Sequence, residues 1–302
     1  MSKLWGAAAL AAVLLFAGRG MAASPLVDAA WVKANSGKPG VVLLDVQHRG
    51  QFMAGHIPGS VNTDFEKGGW RDEIEGVPDM MNTPAKLEKL IGSLGIDNAT
   101  HVVIIPNGAS AGEMGVGTRI YWTFKMLGHD EVSILNGGFR AWTADKAAPV
   151  AKGEEKVASK TFKAKALRTD LVATRTEVAA VLGKGMLLVD SRPEDQYMGV
   201  NRNPKAKRNG TLPGAVNVPN TWMTENNGGK FRDVATLRKL YAVAKVSPDA
   251  EQITFCNTGH LASIGWFVGH ELLGNKKVKM YDGSMVEWTM DPKAPVEQKI
   301  SY

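Results

Sequence analysis

Cysteine is almost missing from this chain: 302 residues contain one, Cys256. A disulfide framework within the chain is therefore excluded, and with it the small scaffolds that depend on one. Neither a CxxC nor an HExxH spacing occurs, so a metal site built from Cys256, His260 and His270 lacks the usual ligand pattern. Aromatics are sparse, at 7%, and are not interleaved with basic runs. The net charge of +6 is spread along the chain, which argues against nucleic acid as a partner. After the N-terminus no apolar run approaches the ~20 residues that a membrane span needs.

The N-terminus itself reads differently. "MSKLWGAAALAAVLLFAGRGMAAS" begins with Lys3, runs through an apolar stretch from Leu4 to Ala17, and ends in small residues. Gly20 and Ala22 stand at the spacing of a signal-peptidase site. A cleaved leader over residues 1–23 is expected rather than a retained anchor, giving an exported, most simply periplasmic protein with no membrane segment afterwards. In an oxidising compartment a lone thiol is either buried and inert or kept for its reactivity.

The chain also repeats itself. "VVLLDVQHRGQFMAGHIPGSVN" (41–62) parallels "MLLVDSRPEDQYMGV" and "NGTLPGAVNVP" (186–219). "HVVIIPNG" through "NGGFRAW" (101–142) parallels "QITFCNTG" through "YDGSMVEW" (252–288). Short apolar runs alternate with amphipathic stretches, the pattern of an α/β fold with a mainly parallel sheet and helices on both faces. Two homologous domains are expected, at 24–142 and 167–302. The Ala/Lys-rich segment 143–166 lacks apolar periodicity and reads as a linker over the surface.

The copies differ where chemistry would sit. Matching "VVIIP" to "QITFC" sets Pro106 opposite Cys256. Proline belongs at a strand end and not in a core, so Cys256 is expected at the carboxyl end of a strand, where open parallel sheets bind ligands. Asn257, Thr258 and Gly259 would curl into a nest of N–H groups, with Gly259 allowing positive φ. Such a site lowers a thiol pKa and makes it a nucleophile. The alternative is a small, inert core residue.

These motifs, with "LNGGFRAW" (135–142) and "CNTGHLAS" (256–263), resemble the tandem-domain rhodaneses, the thiosulfate/3-mercaptopyruvate sulfurtransferases, over nearly the whole mature chain. The resemblance implies two rhodanese-like domains, the N-terminal one catalytically silent. It implies sulfur transfer from a small anionic donor, thiosulfate first, to cyanide, a thiol or a protein acceptor through a Cys256 persulfide. No cofactor and no metal are expected. Arg192 would hold the anion; Asn257, Thr258, Gly259, His260 and Leu261 would form the substrate loop, with Asp190 and Ser284 as supports. Many members carry Arg or Lys in that loop, whereas here only His260 could be cationic. This leaves 3-mercaptopyruvate as an alternative donor, and a sulfur carrier or oxyanion-binding module without turnover as an alternative function. A phosphatase would need arginine where Ala262 stands. The basic run 201–210 (Arg202, Lys205, Lys207, Arg208) would lie near the mouth, steering anions or simply solvated.

Overall fold

The computed structural model describes residues 23–300, so the expected leader, apart from Ala23, lies outside the described residues. The first half runs β1 (Leu26–Val27), α1 (Ala29–Asn35), β2 (Val41–Asp45), α2 (Arg49–Ala54), β3 (Val61–Asn62), β4 (Arg71–Ile74), β5 (Val77–Met81), α3 (Pro84–Ser93), β6 (His101–Ile105), α4 (Ala111–Met126), β7 (Val132–Leu135) and α5 (Gly138–Thr143). The second runs β8 (Val172–Ala173), α6 (Arg175–Val181), β9 (Leu187–Asp190), α7 (Glu194–Met198), β10 (Val216–Asn217), α8 (Val234–Val243), β11 (Gln252–Phe255), α9 (His260–Trp266), β12 (Val278–Tyr281) and α10 (Ser284–Met290).

Each half forms a five-stranded parallel sheet, ordered β3-β2-β6-β7-β1 and β10-β9-β11-β12-β8. The orders coincide when the halves are superposed in thought, as the sequence repeat requires. β6 and β11 lie at the centre, and their apolar runs are buried because helices cover both sheet faces. Helix starts are marked by side-chain caps. Asp28, Ser110 and Asp233 each accept from the third residue beyond, and Thr174 closes a capping box with Glu177.

One element has no counterpart. In the first half β4 and β5 pair as an antiparallel hairpin across Glu75 and Gly76, both at positive φ, as a two-residue hairpin turn demands. In the second half that stretch is taken by short 3-10 turns at 220–223 and 225–227.

The halves share one continuous core. α4 packs on α9, with Thr118 and Ser263 hydroxyls 2.7 Å apart and Tyr121 edge-on to Phe267. A Cβ at Gly115 would collide with His260, so glycine there sets how closely the helices approach. The linker is pinned along its course: Lys160 N donates to Gly92 O, Ala164 N to Glu88, and Lys165 N to Leu127 O. Its phenylalanine, Phe162, is buried against Phe124 and His129. Phe162→Ala should therefore lower unfolding stability by about 3–5 kcal/mol in urea denaturation, the cost of emptying a core aromatic site. A change within about 0.5 kcal/mol would mean that the linker is loose in solution.

Candidate active site

The two halves agree hydrogen bond by hydrogen bond around the ends of their central strands. Val46 N donates to Ile105 O, as Ser191 N does to Phe255 O. Gln47 N reaches Asp45 Oδ1, as Arg192 N reaches Asp190 Oδ1. Asn62 spans the carbonyls of Asp45 and Gln47, as Asn217 spans those of Asp190 and Arg192. Phe139 N and Arg140 N donate to Pro106 O and Asn107 O; Met285 N and Val286 N donate to Cys256 O and Asn257 O. Pro106 and Cys256 thus occupy the same place, at the carboxyl end of the central strand.

The second half holds that place open for a side chain by using Ser284. Its hydroxyl donates to Tyr281 O at 2.7 Å and accepts from Cys256 N at 3.0 Å and Gly259 N at 3.3 Å. One oxygen therefore gathers both ends of the Cys256–Gly259 turn. Delivering it requires φ of +51° at Ser284; the matching residue in the first half is Gly138, at +61°. Glycine accepts that conformation freely, whereas serine carries strain there. Gly259, at +69°, supplies the expected left-handed residue before α9.

Cys256 is only 1% exposed and is counted with the shared core, so the thiol expected at an open strand mouth is covered. Thr258 is the one residue of Cys256–Gly259 that is not buried. The Asn257 amide turns to α7, donating to Gln196 Oε1 at 2.8 Å. Leu261 packs on the shared core, and the His260 side chain leaves the loop for the other domain, its Nε2 donating to Gly112 O. Burial, and then the charge of Arg71, push the imidazole down to about 4. His260 is therefore neutral near neutral pH and does not supply the cation that the loop lacks.

Most of the Arg192 guanidinium is committed to Asp190, the residue expected to support it. Nε and Nη2 donate to that carboxylate, and Nη2 also to Gly210 O. Nη1 remains without a partner among the described residues. Asp190 is satisfied in turn by Arg192 and by the Thr211 hydroxyl at 2.7 Å. In the first half Gln47 replaces this arginine, and burial of the unneutralised Asp45 pushes its carboxyl up to about 6.

The first domain closes over this site. Met81 N donates to Asp282 Oδ2 at 2.9 Å, and Asp79 pairs with Lys205 of the basic run. A groove of about 250 Å³ lies between them, lined by Glu73, Pro78, Lys205, Lys207 and Val286. Arg202 and Arg208 are instead tied to the carbonyls of Ala206 and Asp291. Arg119 of α4, absent from the sequence reading, meets Asp282 at 2.5 Å beside Gly259. The Ser284 geometry makes a paired prediction. Ser284→Ala and Ser284→Gly should slow sulfur transfer by a similar factor, about tenfold or more. In thermal unfolding the alanine variant should be the less stable by about 1 kcal/mol, because it keeps the strained φ.

Comparison with known proteins agrees with both halves. A Rhodanese-like domain model matches residues 28–145 and 174–291. A Mycolicibacterium smegmatis protein, named provisionally as a thiosulfate sulfurtransferase, is 33% identical over 90% of this chain and 97% of its own. The thiosulfate sulfurtransferase of Gallus gallus is 30% identical over 91% of this chain and 96% of its own. SseA from Escherichia coli, described with the 3-mercaptopyruvate sulfotransferases, superposes with a TM-score of 0.75 at 25% identity, covering 87% of this chain and 99% of that one. With its duplicated fold and relatives matched almost end to end, the chain belongs to the tandem-domain rhodanese family and is a sulfurtransferase.

Proposed function

We propose that the protein moves the outer sulfur of thiosulfate to cyanide or a thiol acceptor through a persulfide on Cys256. The Cys256 thiolate attacks the outer sulfur, the sulfur–sulfur bond of thiosulfate breaks, and sulfite leaves with the bonding pair. The acceptor then attacks the outer sulfur of the persulfide and the thiolate is restored, a double displacement. The observation that carries this reading is the cradle of Cys256. The chain's one thiol stands at the end of the central strand, inside a turn drawn together by Ser284, where the other copy has proline. The names of the M. smegmatis and Gallus gallus relatives favour thiosulfate as donor.

A second donor, 3-mercaptopyruvate, is favoured by the absence of Lys and Arg from Asn257–Leu261 and by the likeness to SseA. In either case the enzyme works in the periplasm once residues 1–23 are removed, a part of the reading that rests on sequence alone.

Loading is tested by the intact mass of reduced protein incubated with thiosulfate. The wild type should gain one sulfur atom, lost again on adding cyanide, and Cys256→Ser should gain nothing. Loading without steady-state turnover would make the protein a carrier; no loading from either donor would remove Cys256 as nucleophile. Arg192→Gln copies Gln47 of the first domain. It should lower kcat/KM for thiosulfate by about 2–4 kcal/mol in transition-state terms. Asp190 would then be left buried beside a glutamine amide, as Asp45 is. For Asp45 itself, raised in the folded state, the stability it contributes is full below its unfolded pKa and is lost as pH rises through about 6. Unchanged kinetics would take Arg192 out of the site.

A further inference from the structure

The first domain has no nucleophile, yet it sets a charged side chain against the nucleophile's loop. Arg119 lies along α4 at 1% exposure, with its guanidinium 4.9 Å from the Trp122 ring centre. A Cβ on Gly259 would collide with Arg119 Nη1 and with Asp282 Oδ1, so this ion pair rests directly on the loop backbone. Nε, Nη1 and Nη2 all lack a hydrogen-bond partner among the described residues, and Asp282 answers the charge only as an ion pair. Unused donors on a buried guanidinium are costly, and such groups call for an explanation in a ligand or a reaction. The nearby loop is where an anion would form, and it has no cation of its own, since Asn257–Leu261 contain no Lys or Arg. Nearby cations are paired as well, Arg192 with Asp190, Arg71 with Glu66 and Asp79, and Lys205 with Asp79, but it is Arg119 that lies against the Gly259 backbone.

We propose that Arg119 is a positioning residue for sulfur transfer, supplying from the first domain the positive charge of the Cys256 loop, with Asp282 holding it against Gly259. The proposal deepens the function above and rests on Cys256 as the nucleophile. When the thiol gives its proton to solvent, the charge left on Sγ is favoured by the guanidinium; the same holds for the anionic persulfide. The other charged or titratable groups around the loop are Asp282, Asp190 with Arg192, His260, Arg71 with Asp79 on the hairpin, and Glu287 on α10. Asp190 is paired with Arg192 and Asp79 with Arg71 and Lys205, His260 is neutral near neutral pH, and the Arg119–Asp282 pair is the one that touches the Gly259 backbone.

Because the chain has a single cysteine, its thiolate can be titrated by ultraviolet absorbance, each variant against its own Cys256→Ser counterpart. Arg119→Gln should raise the thiolate midpoint by about one unit. Arg119→Lys should hold it near the wild-type value, and the loss in kcat/KM for thiosulfate should appear in the sulfur-loading half of the reaction. An unchanged midpoint in folded Arg119→Gln overturns the proposal. Should that variant be too unstable to titrate, Asp282→Asn removes the opposing charge and should lower the midpoint; a rise or no change is equally fatal. The midpoint is read on the thiol itself, so a failure of thiosulfate loading, which would end the functional reading, shows up separately.

Discussion

The site depends on one strained hydroxyl. Ser284 takes up the two loop N–H groups on one side, while the amides of Met285 and Val286 take up the carbonyls of Cys256 and Asn257 on the other. The loop is thus braced along both edges by the turn between β12 and α10. That turn needs a left-handed residue, and a serine there costs of order 1–3 kcal/mol. Gly138 shows the same turn in the first domain with neither the cost nor the hydroxyl. The strain therefore travels with the thiol.

The same contrast runs through the neighbouring carboxylates. Asp190 faces an arginine and a threonine hydroxyl, whereas Asp45 faces a glutamine amide and its carboxyl rises to about 6. In both halves the aspartate organises the turn after its strand, and Asn62 and Asn217 repeat the same bridge. The first copy carries proline where the second has its cysteine, and keeps the same bonds around that position. Proline and cysteine fit the same strand end because the carbonyl of that position is what the next turn's backbone amide engages, and both residues offer it.

Much of this was legible in the amino-acid order. The matched runs ending in Asp45 and Asp190, and the Pro106 and Cys256 alignment, follow from local pattern, because short buried strands leave continuous apolar runs. The pairing of Arg192 with Asp190 was also within reach, since two residues apart across the turn after a strand is a local relation. His260 was assigned to the loop by adjacency, but the approach of α4 at Gly115 draws its ring the other way. Arg119 was invisible for a related reason: its meaning comes from a contact with Asp282, 163 positions along the chain. A local sign did exist, since Arg119 stands directly before the large apolar run Ile120, Tyr121 and Trp122, and a fully buried arginine is rarely idle.

The packing of α4 on α9 has a historical side. Trp266, Phe267 and Ile264 are fully buried in a core that runs on into the first domain, and Tyr121 lies against two of them. A lineage that shed the first copy would uncover this apolar face at the same stroke, inviting aggregation. Duplication followed by mutual burial acts as a ratchet. Neither half can be deleted without laying bare the other's interior.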